Sequence, residues 1–272
     1  MTQRRFWIVL LLAWSLAPML WQLISSFSSD EALVSAGRVA LSQRWTFDHY
    51  RDLFLSDPPF WRYLINSTVV AAETTVLTLV LALPASYTLA RLPVLWRRGS
   101  RLLITAAALF PYVLLFLALL EIARAFQFGN NLLALALPYA ALSMPLALLL
   151  LSAAFEGLPK DLEDAAQLEG LTLIQRLRWV MIPLIAPASA STAILVFLFA
   201  WNEYPIALTW ISDASLLTLP VAVARIAGSS IYSIPYGAYA AATVLGSIPL
   251  LMLVLIFQKQ IVSGLTNGAI KG

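Results

Sequence analysis

Residues 156–187 read EGLPKDLEDAAQLEGLTLIQRLRWVMIPLIAP, a polar stretch set between two long apolar ones. Glu156, Asp161, Glu163, Asp164 and Glu169 are five of the chain's 14 acidic residues, and Lys160, Arg176 and Arg178 three of its 17 basic ones. Pro159 suits the first turn of a helix, where its missing N–H would be unpaired anyway. Asp161, Glu163 and Asp164 then fall where carboxylates meet the positive end of the helix dipole. Leu158, Leu162, Ala165 and Ala166 recur at three- and four-residue spacing and mark one apolar face. Gly170 follows as a helix stop. A second helix over 172–180 leads through Ile182-Pro183 into the next apolar segment. The spacing therefore predicts a helix–Gly–helix element that offers a charged surface to water.

The rest of the chain is of a different character. The 272 residues are 61% hydrophobic and 11% charged, with a mean hydropathy of +0.83, whereas charged residues make up about a quarter of a soluble domain. Several apolar stretches exceed the ~18 residues that cross a bilayer core as helix. The composition is that of an integral membrane protein. Cysteine is absent and His49 is the single histidine, so neither a disulfide framework nor a transition-metal centre is expected. A net charge of +3 scattered among spans gives no basis for a nucleic-acid partner. No P-loop or dinucleotide-binding glycine pattern occurs. Active transport by this chain would draw on an ion gradient or on another subunit.

The fold class expected is an all-α integral membrane protein, a single transmembrane domain over 1–272 with six spans at about 6–27, 61–89, 102–126, 132–154, 186–211 and 238–257. The first span resembles a signal peptide at its start but is too long, with no small-residue cleavage site, and reads as a retained span. With the N-terminus inside, the inner segments carry Arg4, Arg5, Arg91, Arg97, Arg98, Arg101, Lys160, Arg176, Arg178, Lys259 and Lys271, eleven basic residues. Arg38, Arg44, Arg51, Arg62, Arg124 and Arg225, six, lie outside. That bias places both termini and the loop at 156–185 in the cytoplasm, and residues 28–60 and 212–236 outside. Pro18, Pro84, Pro111, Pro138, Pro145 and Pro249 read mostly as packing kinks within spans. No inverted repeat of the kind secondary transporters carry is visible.

The loop resembles a known family. Asp164-Ala165-Ala166-x-x-x-Gly170, nine residues, then Val180-x-Ile182-Pro183 is similar to the E-A-A-x3-G-x9-I-x-L-P motif of ABC importer permeases. It departs at Asp164 for Glu, Val180 for Ile and Ile182 for Leu, with the spacing intact. Phe199-Ala200-Trp201-Asn202-Glu203-Tyr204 resembles the fifth-span segment of sugar permeases. The ending IVSGLTNGAIKG over 261–272 is similar to that of the second, six-span permease of maltose- and trehalose-type importers. Thr46-Phe47-Asp48-His49-Tyr50 and Asn66-Ser67 also fit that group. The resemblance covers essentially the whole chain. It implies a type I importer permease in the inner membrane, itself non-catalytic, whose coupling helix at 158–169 docks on an ATPase through Leu162, Glu163, Asp164, Ala165, Ala166, Gly170 and Pro183. It also implies a second permease as heterodimer partner, two ATP-binding-cassette subunits that bind ATP and Mg, and an extracytoplasmic sugar-binding protein. The C-terminal tail would reach the ATPase interface, bending at Gly264, Gly268 and Gly272 to bring in Lys271, and the outer loop at 212–236 would reach into the binding protein.

Ionisable groups within spans cost about 3 kcal/mol at a helix centre and each requires a reason. Asn202, Glu203 and Tyr204 combine hydrogen-bonding groups with aromatic faces, as a sugar path or gate requires; an inter-helix hydrogen bond that only holds the bundle together is the competing reading. Tyr112, after Pro111, is a further candidate for the path. Glu121 and Arg124, three apart, are expected to pair locally. His49 reads as a solvated loop residue. The functional alternative is an ion-driven secondary transporter with Glu73 and Glu203 as its cation or proton sites.

Overall fold

Long apolar runs become long helices because a helix satisfies its backbone groups internally, as a lipid environment demands. The computed structural model of the chain describes residues 3–30, 33, 45–228 and 235–269. Among them, α1 (Gln3–Ser26), α3 (Phe60–Arg91), α6 (Leu132–Glu156) and α13 (Tyr236–Ala269) each hold an apolar stretch long enough to cross a membrane. Two further apolar stretches are bent. α4 (Val94–Ala108) meets the segment Tyr112–Ala125, made of a 3-10 turn and α5 (Phe116–Ala125), at 78°. The segment Leu173–Leu184 meets α10 (Ala186–Asn202) at 81°. The chain thus has four candidate spans, or up to six if each bent pair is one.

Two spans read as continuous are interrupted. The third, taken as 102–126, stops at Ala108 and resumes after Pro111. The fifth, taken as 186–211, ends at Asn202 and restarts as α11 (Pro205–Trp210). A proline has no N–H to carry a helix through, and at the second break the chain turns at Glu203, which is extended at φ −67° and ψ 130°. Pro205 then serves as the first residue of the new helix. Pro18, Pro84, Pro138, Pro145 and Pro249 lie inside unbroken helices, where they act as kinks at most.

α3 and α6 form the most extensive helix pair, and α10 packs on both, with α13 against α10 and α1. The buried face of α3 includes a row of small residues, Ala71, Thr74, Thr78, Ala82 and Ser86, which let neighbouring backbones approach closely. Leu, Val and Trp side chains that point away from this centre remain exposed, notably along α1, as surfaces for lipid or another subunit do.

At one end of the bundle, polar side chains tie the connections to helix ends. The Asn131 side chain caps α6 by accepting from the Leu133 and Ala134 amides. Asn130, at φ 53°, accepts from the Ser212 and Asp213 amides at 2.8 and 2.9 Å. Asn66 donates to the Ser215 and Leu217 carbonyls, and the Ser67 hydroxyl accepts the Leu219 amide at the start of α12 (Leu219–Ala227). Glu121 and Arg124 pair at 3.0 Å on an exposed face, as their spacing predicts.

His49 departs from expectation. It lies in α2 (Asp48–Leu55) and is 9% exposed, with Nε2 3.0 Å from the Ser28 carbonyl. The ring sits against the first turn of α13, where a Cβ on Gly237 would fall 2.1 Å from Nε2. Asp30 accepts the Gly237 amide at 3.1 Å and lies 4.0 Å from the same nitrogen. The loop histidine is solid packing between α2 and α13 because a glycine leaves it room. Gly237→Ala is therefore expected to cost about 1–3 kcal/mol of stability by overpacking. A detergent thermal melt should register the loss, and Gly237→Ala should cost less in a His49→Ala background, where the ring it meets is gone. An unchanged melting temperature would dismiss the contact.

The C-terminal tail also differs. α13 continues unbroken to Ala269, so Gly264 and Gly268 lie within a helix and do not make bends. Lys271 and Gly272 are outside the described residues, as are Arg38, Arg44, Ser229 and Ser230.

Candidate functional site

The polar stretch folds as its spacing predicts, through local rules. α7 (Lys160–Leu168) begins after Pro159 with Asp161 and Glu163 in its first turn. It ends at Gly170, whose φ of +83° is left-handed. The Leu171 amide donates to the Ala166 carbonyl and the Gly170 amide to the Gln167 carbonyl. That pair of bonds is a Schellman cap, which needs glycine at the left-handed position. Thr172 and Gln175 then form a capping box that opens α8 (Leu173–Gln175). A π-helical turn (Arg176–Met181) and α9 (Ile182–Leu184) continue it, with Pro183 inside α9. Arg176 reaches back to Gln167 at 3.0 Å and braces the two arms.

The faces of α7 divide sharply. Leu162, Asp164, Ala165 and Leu168 are exposed, while Ala166 is buried. Asp164 makes no ion pair among the described residues. Leu173, Ile174 and Trp179 extend the exposed apolar surface beyond the glycine. Glu163 points the other way. Its Oε2 accepts from Arg91 Nε at 2.7 Å and its Oε1 from the Tyr87 hydroxyl, both on the last turns of α3. Burial lifts the Glu163 carboxyl above its ordinary range, the nearby Arg176 pulls it back, and Asp164 adds to the rise. Next to it, Arg101 and Arg97 face Glu156 at the end of α6. Charge on Glu163 is thus costly on its own and depends on its partners.

A second polar constellation lies at the break between α10 and α11. Glu203 is 4% exposed. Its Oε1 accepts the Ile206 amide at 3.0 Å; its Oε2 accepts the Ala207 amide at 3.2 Å and the Tyr139 hydroxyl at 2.5 Å. The carboxylate caps the restarted helix at its second and third residues and binds it to α6. Both oxygens are engaged within the chain, so Glu203 does not face an open path. Asn202 is exposed with its amide turned back to the Leu198 carbonyl at 2.7 Å, and Tyr204 is half-buried. Tyr112 is half-buried and meets Phe199 edge-on, and Phe199 also meets Tyr139 edge-on. Glu73 on α3 keeps one enclosed carboxylate oxygen without a hydrogen-bond partner.

A cavity of about 390 Å³ opens near the Asn130 turn, lined by Arg124, Gln127, Asn130, Thr209 and Trp210 among others. None of Tyr112, Asn202, Glu203 and Tyr204 lines it.

Residues 58–267 match the family described as the binding-protein-dependent transport system inner membrane component. The chain belongs to this family. The permease is 41% identical to the trehalose transport system permease protein SugB of Mycobacterium tuberculosis, over 98% of this chain and 97% of that one. It is 39% identical to the sulfoquinovosyl glycerol transport system permease protein SmoH of Agrobacterium fabrum, over 97% and 91% of the two chains. In fold it is similar to a chain of a bacterial ABC transporter that imports the acidic polysaccharide alginate, with a TM-score of 0.79 at 21% identity and 94% of each chain covered. The permease is accordingly a multi-pass inner membrane protein, and family membership favours a transport-system subunit over an ion-driven carrier.

Two features of the permease escaped the sequence. The Pro205 break has a local signal, since a proline has no N–H to carry a helix through, but Pro84 and Pro145 carry the same signal without a break. The partnership of Glu163 with Tyr87 and Arg91 carried no comparable signal. The two α3 residues stand one turn apart, but nothing local says which carboxylate lies across from them.

Proposed function

We propose that the chain is the permease subunit of an ATP-driven ABC importer, and that with a second, related permease it forms the membrane path for a sugar. A di- or oligosaccharide delivered by an extracytoplasmic binding protein is the cargo. The relatives support a carbohydrate or a carbohydrate derivative, being named for trehalose and for sulfoquinovosyl glycerol. Their differing cargoes also argue that the features this permease shares with both do not choose the sugar.

In this reading each bent helix pair counts as one span, giving six, with both termini and the 156–185 loop in the cytoplasm. The observation that carries it is the two-sided α7. One face is tied to the bundle through Glu163, and the other leaves Asp164, Ala165 and exposed leucines unpartnered. A short helix with a free carboxylate and a small apolar ridge is shaped for a groove that has a basic residue at its edge. The groove belongs to an ATPase subunit, which binds ATP and Mg. Closure of two such subunits on ATP carries α7 with it and opens the spans outward; hydrolysis reverses the motion. Asn202, Tyr204 and Tyr112 are the residues proposed to border the sugar path, with Glu203 holding the break that positions them. Lys271, outside the described residues, is proposed to reach the ATPase interface.

The test is purification of the tagged permease from its native membrane in mild detergent. A second permease and a nucleotide-binding ATPase should co-purify, and ATP hydrolysis should rise when the binding protein and its sugar are added. A single-chain eluate without ATPase activity would refute the reading.

A further inference from the structure

α7 is joined covalently to α6 on one side and, through Gly170 and the π-helical turn, to α10 on the other. Its extensive packing is against that π-helical turn alone, and Ala166 is its only buried residue. α3, the most extensively packed helix of the bundle together with α6, has no covalent link to it. Glu163 supplies a non-covalent one. Tyr87 and Arg91 stand four residues apart on α3, so both side chains reach the same carboxylate. Arg91 lies 5.8 Å over the Tyr87 ring, which stiffens the pair. Behind them, Tyr87 is 5% exposed and meets the fully buried Phe155 of α6 edge-on at 5.6 Å. Arg91 also donates to the Phe155 carbonyl at 3.5 Å.

We infer that Glu163, Tyr87 and Arg91 form the joint through which a displacement of α7 is delivered to α3. The inference rests on the reading of α7 as the coupling helix and assigns Glu163 a role apart from ATPase docking. An ion pair backed by a ring that is itself wedged against α6 is short and has little freedom. A push on the exposed face of α7 then moves α3 and α6 as one body. Without the joint, α7 swings on its two backbone connections, and the ATPase cycles without moving the spans. Glu163 is a positioning residue in this scheme.

The measurement uses the assembled importer in proteoliposomes with its binding protein and sugar, and reads ATP hydrolysed per sugar transported. Glu163→Ala and Arg91→Ala should each retain the ATPase on purification yet raise that ratio about tenfold. Because the two residues act through one contact, the double variant should be no worse than either single one. Glu163→Gln, which preserves the shape but not the charge, should fall between. Asp164→Lys should instead lose the ATPase altogether. Glu163→Ala with a wild-type ratio, additive effects in the double variant, or loss of the ATPase from Glu163→Ala would each overturn the joint. Retention of ATPase and normal transport in Asp164→Lys would overturn the coupling-helix reading itself, a separate outcome.

Discussion

Asp164→Lys should lower sugar uptake by about a hundredfold or more, equivalent to about 2.7 kcal/mol of lost docking, while the permease still inserts. Asp164 is exposed, as is Ala165 beside it, and has no ion-pair partner in its own chain among the described residues. Its replacement removes nothing that holds the fold together. A substitution there acts on whatever meets α7 from the water side. Reversal of a charge at a docked carboxylate loses an attraction and adds a repulsion, and truncation of such pairs alone costs about 2–5 kcal/mol. Uptake and ATPase retention should fall together, with membrane yield unchanged. Asp164→Glu should keep activity, since it retains the charge at nearly the same reach. Wild-type uptake by Asp164→Lys would mean that α7 is not the docking helix.

Glu203→Ala should be the most destabilising single change in the membrane region, by about 3–5 kcal/mol. The truncation removes the acceptor shared by three donors, the Tyr139 hydroxyl and the Ile206 and Ala207 amides. All three are enclosed, and unpaired donors away from water cost about 1–3 kcal/mol each. α11 also loses its N-terminal cap. Tyr139→Phe should cost less, because it leaves the carboxylate with both backbone donors. Combined, the two substitutions should be less damaging than their sum, with a coupling of about 1–3 kcal/mol. Unfolding temperatures in detergent for the four proteins give that coupling directly. Strictly additive losses would show that Glu203 and Tyr139 do not act as a unit.

Much of this molecule is legible from the chain because the rules involved are local. Four apolar runs are long helices that begin within a few residues of where they are expected, and the helix–Gly–helix element follows from Pro159, the first-turn acids and Gly170. The Schellman cap at Gly170 is read from one glycine because only a left-handed residue closes that turn. Where proline met a span, the outcome was not legible in the same way. Pro111 and Pro205 break helices while Pro84 and Pro145 do not. At Pro205 the freed backbone groups find a partner in Glu203, which has its own support from Tyr139 on another helix.

The roles of the acidic residues divide along the same line. Sequence alone determined that the chain spans a membrane, that it is helical, and that residues 156–187 form a charged element between spans, since hydropathy and backbone geometry operate over a few neighbouring residues. It set Glu163 and Asp164 side by side with nothing to tell them apart. Only the tertiary structure turned Glu163 onto Tyr87 and Arg91, more than seventy positions earlier, and left Asp164 facing outward. It likewise placed His49 against Gly237 and closed Glu203 onto Tyr139. Adjacent residues on a helix differ by about 100° in direction, and what each direction meets is set by helices brought together from distant parts of the chain.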